Sequence, residues 1–136
     1  TDFMNVVRYT GDVGADLLRI MRTYQESVVA HEQFFSVLFS EISRNPELGD
    51  SFEQPLHLFK KIGELMQRYQ RQGVLRQEHP LHAVAALLGP LIYLAMVGSR
   101  LPQNELPQFD LEKHVMYFLE GRWIGGSSEI LQQSEP

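Results

Sequence analysis

The segment from Pro80 to Gly98, PLHAVAALLGPLIYLAMVG, constrains the fold most, because past His82 it carries no charge and is apolar on every face. A helix that is apolar all round must be buried by its own domain, by a second protomer or by lipid. The uncharged run is shorter than the roughly 20 residues of a spanning helix and contains Gly89 and Pro90. We therefore expect a buried helix of a soluble protein and no membrane partner.

The composition indicates one soluble globular domain. The chain has 136 residues, of which 43% are hydrophobic and 21% charged, with a formal net charge of −5. Its Lys and Arg residues are dispersed, which argues against direct nucleic-acid binding by these residues. Cysteine is absent, so disulfides, thiolate metal sites and a cysteine nucleophile are excluded. With no secretory signal pattern visible, we expect a cytoplasmic location.

Hydrophobic periodicity predicts five helices and no strand, and hence an all-α antiparallel helical bundle. The predicted helices are A, from after Asp12 to about His31; B, from Glu32 to Ser43; C, from a cap at Asp50 or Ser51 to Gly73; D, from Pro80 to about Ser99; and E, from a cap at Asp110 to Gly121. Pro90 should kink helix D. Residues 1–124 are predicted to form one domain, followed by a flexible tail at 125–136.

No catalytic or metal-binding pattern is present in the sequence. His79 and His82 share a helix face, as do Glu53 and His57, but no third ligand lies at a matching spacing. There is also no phosphate loop, dinucleotide fingerprint or nucleophile elbow. The sequence therefore predicts a protein that is not an enzyme and uses no metal or cofactor.

Several large side chains with polar tips are predicted to lie on the inward arcs of helices A and C. Aromatic and methionine side chains with a few polar groups are typical of a small-molecule pocket. A packed core, with tyrosine hydroxyls at its rim and one hydrogen-bonded histidine, is the alternative interpretation. The candidate ligand-binding residues are Met21, Tyr24, Val28, His31, Phe35, Phe39, Ile62, Met66, Tyr69, Leu88 and Ile92.

Helix D has two unlike arcs. Large aliphatic residues such as Leu87 and Leu91 form one arc, which suits the core, while the other arc carries smaller residues that let a second helix approach closely. Helix E also has a wide apolar arc, so helices D and E could pair with their copies across a twofold axis. The candidate dimer-interface residues are Ala83, Ala86, Pro90, Tyr93, Val97, Val115, Met116 and Leu119.

The order of these parts resembles the C-terminal ligand-binding and dimerisation domain of TetR-family transcriptional regulators. The residues that carry the likeness are Tyr69-Gln70-Arg71-Gln72-Gly73-Val74-Leu75-Arg76, leading through His79-Pro80 into helix D, and Phe118-Leu119-Glu120-Gly121 at the end of helix E. The resemblance covers about Leu17 to Arg122. It implies a homodimer through helices D and E and an effector pocket among helices A, C and D.

The resemblance also implies an N-terminal helix-turn-helix, which is not found among the residues before Thr10. We therefore expect the regulatory domain of a TetR-family repressor that binds a largely apolar small molecule. Such a domain would contact DNA only through a separate N-terminal head. A freestanding helical small-molecule carrier or a protein-interaction module is the alternative function.

Overall fold

The computed structural model describes residues 3–30, 41, 44–45, 53–98, 100–105, 108–122 and 124. The regular elements formed by these residues are all helices, with no strand among them, which confirms the all-α class. The α-helices are α1 (Phe3–Val6), α2 (Val13–Ala30), α3 (Glu53–Arg71), α4 (Pro80–Gly98) and α5 (Leu111–Glu120), with a 3-10 turn at Gln103–Glu105.

The described residues thus form four long helices rather than the predicted five. They are α2, α3, α4 and α5, which correspond to predicted helices A, C, D and E. Predicted helix B, apart from Glu41, lies outside the described residues, as do the Asp50 or Ser51 cap and the tail at 125–136. The single turn of α1 was not predicted, because four residues are too few to show a helical period.

The ends of α2 and α3 follow from local sequence signals. Asp12 caps α2, since its Oδ1 accepts a hydrogen bond from the Ala15 backbone N–H at 3.1 Å. At the C-terminal end of α3, Gly73 has φ +76°, a left-handed conformation that favours glycine. The Val74 N–H donates to the Tyr69 carbonyl and the Gly73 N–H to the Gln70 carbonyl. This pair of bonds is a Schellman motif, and it ends α3 as the sequence predicts.

The predicted bounds of α4 and α5 are also close to those observed. Helix α4 begins at Pro80, a favoured first residue, and includes Pro90. Asp110 caps α5 by accepting from the Lys113 N–H at 3.1 Å. Gly121 follows the last turn of α5 with φ −75°, so it ends the helix without adopting a left-handed conformation.

The helices pack around one hydrophobic core. Helix α3 lies mainly against α4, and α2 lies mainly against α5. Helices α3 and α4 approach closely at Gly63, where an added Cβ would lie 3.4 Å from the Pro80 Cβ. At the end of α5, the Arg122 Nε donates to the Glu78 Oε2 at 2.7 Å, and the Arg76 N–H donates to the Arg122 carbonyl. These bonds join the loop after α3 to the end of α5.

Candidate functional site

Six of the eleven candidate ligand-binding residues are buried in the hydrophobic core. They are Met21 and Tyr24 on α2, Ile62, Met66 and Tyr69 on α3, and Leu88 on α4. Ile92 is partly buried and packs against this cluster. His31, Phe35, Phe39 and the side chain of Val28 lie outside the described residues. The sequence therefore identified inward positions from three helices that contribute to one core.

Large side chains span the space between α2 and α3. The rings of Tyr24 and Phe59 lie 6.4 Å apart between centroids, and the Tyr69 hydroxyl donates a short hydrogen bond to Asp16 Oδ2. Burial raises the pKa of Tyr24 to about 12, so its hydroxyl stays protonated at neutral pH. Met21 and Met66, which are both fully buried, contribute flexible side chains to the same core.

Asp16 is the polar centre of this part of the molecule, and its side chain is 0% exposed. Its carboxylate accepts from the Thr10 N–H at 2.9 Å, from the Thr10 hydroxyl at 2.5 Å and from the Arg19 Nη2 at 3.0 Å, as well as from the Tyr69 hydroxyl. A buried carboxylate needs such partners to offset its loss of water. We call Asp16, Thr10, Arg19 and Tyr69 the Asp16 junction.

The charges of the junction follow from these bonds. Burial alone would raise the pKa of Asp16, but hydrogen bonds from Thr10, Tyr69 and Arg19 outweigh burial and lower it. Burial and the neighbouring Asp16 carboxylate raise the pKa of Tyr69. The junction therefore holds a carboxylate anion and a neutral phenol at neutral pH. The Tyr69 hydroxyl is committed to Asp16, so a ligand could contact the Tyr69 ring but would compete with Asp16 for its hydroxyl.

Sequence reasoning did not single out Asp16 or Thr10, although one signal was available. Asp16 lies three residues after Val13 and four before Ile20, and both of these are buried. Residues at those spacings share one face of a helix, so a carboxylate at this position had to point inward. Its partner Tyr69 comes from another helix and could not be derived from helical spacing alone.

We predict that the junction stabilises the fold only within a limited range of pH. Because the folded pKa of Asp16 is lowered, its contribution to stability is present above the unfolded value of 3.8 and is lost as pH falls through the folded pKa. Because the folded pKa of Tyr69 is raised, its contribution is present below the unfolded value of 10.0 and is lost as pH rises above it. Urea unfolding at a series of pH values measures both limits. A Tyr69→Phe variant that kept the full alkaline loss would contradict the second assignment.

The candidate dimer-interface residues divide into two groups. Ala83 and Val115 are buried within the single chain, so they are not available to a partner. Pro90, Tyr93 and Met116 are exposed, Tyr93 to 64%, while Ala86, Val97 and Leu119 are half-buried. The residues that can meet another molecule are therefore the outer ones of α4 and α5.

No grouping of three or more His, Asp or Glu side chains that could hold a metal ion occurs in the described part of the chain. Among the same residues, only α4 is long and apolar enough to cross a membrane, and core helices of soluble proteins also meet that criterion. Comparison with models of protein families, with curated proteins and with solved structures found no match.

Proposed function

We propose that this chain is the effector-sensing and dimerising domain of a transcriptional repressor similar to the TetR family. In this proposal the chain forms an antiparallel bundle of about five helices, similar to that family's C-terminal domains. It forms a homodimer in the cytoplasm and binds a largely apolar small molecule. DNA binding would belong to a separate N-terminal head, and the domain would carry out no catalysis.

The observation that carries the proposal is a set of large hydrophobic side chains that α4 and α5 leave exposed. Leu81 and Tyr93 on α4 and Met116 and Tyr117 on α5 are large hydrophobic side chains, and all four are about half exposed or more. The two helices contact each other, since the His114 Nε2 on α5 is 2.7 Å from the Leu87 carbonyl oxygen on α4. From Ala83 to Gly98, α4 offers no charged side chain to solvent.

A second copy of the chain is the partner that this surface favours. An isologous twofold interface places the same surface on both sides. Because α4 carries no charge from Ala83 to Gly98, its pairing with its copy would bury no unpaired charge along that stretch. If α4 and α5 paired with the same helices of a second copy, the exposed side chains of Tyr93, Met116 and Tyr117 would be covered by apolar residues of that copy. Tyrosine and methionine are also enriched at protein interfaces relative to the rest of the surface.

The ligand part of the proposal is supported by the side chains between α2 and α3. Met21 and Met66 are flexible enough to rearrange around an apolar molecule, and the Tyr24 and Tyr69 rings provide aromatic contacts. The hydroxyl of Tyr69 is held by Asp16, so it is not free to bind a ligand. We therefore propose an aromatic or acyl-bearing ligand that is recognised mainly by shape and apolar contact.

We expect a thermal-shift screen of hydrophobic metabolites and drugs to identify compounds that raise the melting temperature. A ligand at a hundredfold excess over its dissociation constant stabilises a protein by about 2.7 kcal/mol. Met66→Phe should weaken binding of such a compound at least tenfold, because the larger ring occupies space between α2 and α3. Leu56→Phe is the control, since Leu56 is exposed on the same helix and lies outside the proposed interface, and it should leave affinity unchanged.

Calorimetric titration of both variants distinguishes the possible results. Equal affinities in Met66→Phe and Leu56→Phe would place the ligand elsewhere and contradict the pocket. If no compound in the screen shifted the melting temperature, the sensing function would be contradicted. A compound that bound a strictly monomeric chain would favour the carrier function instead.

A further inference from the structure

The Asp16 junction connects three separate segments of the chain. Asp16 belongs to the first turns of α2, Thr10 to the connection between α1 and α2, and Tyr69 to the last turn of α3. Arg19 extends the junction, because its Nε donates to the Val6 carbonyl at 3.1 Å and its Nη2 to the Arg8 carbonyl at 3.0 Å. Arg19 therefore binds Asp16 and the C-terminal end of α1 at the same time.

Residues 6–10 are also held from the side of α3. The rings of Tyr9 and Tyr69 lie 4.9 Å apart, and the Arg68 guanidinium carbon lies 3.5 Å above the Tyr9 ring. The Tyr9 hydroxyl donates to Gln72 Oε1 at 2.8 Å. The position of α1 is thus set by contacts with both α2 and α3, and the Asp16 carboxylate lies where those contacts meet.

We infer that the Asp16 junction couples the arrangement of α2 and α3 to the position of α1. A change in the separation of the two helices must stretch the hydrogen bond between Tyr69 and Asp16. The same Asp16 carboxylate also binds Thr10 and Arg19, so their positions would change with it. Since Arg19 binds the end of α1, weakening the junction loosens α1. Met66 lies one turn before Tyr69, so molecules bound between α2 and α3 would act on the junction; this last step rests on the proposed function, whereas the coupling does not.

Hydrogen exchange of backbone amides measures the coupling without a ligand. Tyr69→Phe removes one hydroxyl and keeps the ring that contacts Tyr9. The Arg8 amide bonds to the Val6 carbonyl and contacts neither Asp16 nor Tyr69 by a hydrogen bond. We expect its exchange in Tyr69→Phe to be at least tenfold faster, which corresponds to about 1.4 kcal/mol of opening free energy. Amides of α5 should change less.

Two further variants complete the experiment. Tyr24→Phe is the matched control, because Tyr24 is also a buried tyrosine but lies outside the junction, and it should leave the Arg8 amide unchanged. Thr10→Ala alters an exposed residue and is expected to fold. Since coupling is reciprocal, Thr10→Ala should accelerate exchange at Val74, whose amide bonds to the Tyr69 carbonyl.

The inference is overturned if Tyr69→Phe leaves the Arg8 amide unchanged, or if it accelerates this amide and those of α5 equally. Equal effects of Tyr69→Phe and Tyr24→Phe on Arg8 would also overturn it. Because none of these measurements uses a ligand, they separate failure of the coupling from failure of the proposed sensing function.

Discussion

Replacing Asp16 with asparagine is expected to lower the free energy of unfolding by about 3 kcal/mol, since one partner of a buried, hydrogen-bonded charge is lost. Asparagine has nearly the same shape, but its amide nitrogen is a donor that would face the donors on Thr10, Arg19 or Tyr69. The Arg19 guanidinium, only a quarter exposed, would also lose its carboxylate. Since domains of this size are stable by about 5–15 kcal/mol, the loss is large.

Asp12→Asn is the control for this prediction. It makes the same chemical change four residues earlier, at an exposed position where the side chain caps α2. Asparagine caps helices about as well as aspartate, so the unfolding free energy should change by less than about 0.5 kcal/mol. Urea unfolding at pH 7 measures both variants. Equal losses for Asp16→Asn and Asp12→Asn would refute the structural role of the junction.

A charge placed on the outer surface of α4 is expected to prevent dimerisation. Tyr93 is 64% exposed in the single chain, so Tyr93→Arg should leave the protomer folded while placing an unpaired guanidinium in the proposed interface. We expect the dimer dissociation constant to rise at least a hundredfold, or about 2.7 kcal/mol. Sedimentation velocity distinguishes a monomer of 15.7 kDa from a particle of twice that mass.

Leu56→Arg is the matched control for Tyr93→Arg. Leu56 is 53% exposed on α3, outside the proposed interface, so introducing the same charge there should leave the association state unchanged. Circular dichroism checks that both variants remain helical. A wild-type chain that stays monomeric at micromolar concentration would refute the dimer, as would a Tyr93→Arg variant that associates as the wild type does.

The helices that the sequence predicted well are those with strong local signals. Asp12, Gly73, Pro80 and Asp110 act within one or two turns of their own positions, so their effects could be derived without tertiary structure. The short helix α1 lacks such a signal. Its position depends on Arg19, and such long-range contacts cannot be read from periodicity.

For the candidate sites, the sequence predicted the interior ligand-binding positions better than the interface positions on α4. Periodicity correctly placed Met21, Ile62 and Met66 in the interior, because their spacing reports the face of a helix. It did not separate Ala83, which is 1% exposed, from Ala86, which lies three residues further along α4 and is half-buried. On a helix that is apolar all round, the face that turns inward depends on how the other helices pack against it, and the sequence of the helix alone does not show this.

The packing of α2 against α5 has a consequence for how the chain is made. These are the first and last long helices among the described residues, and about 80 residues separate the end of α2 from the start of α5. During translation, the inward arc of α2 leaves the ribosome long before α5 exists to cover it. At 5–20 residues per second, roughly 4–16 seconds pass before α5 is synthesised. Over that interval, Leu17 and Ile20, which are buried in the complete fold, lack the cover that α5 provides to α2.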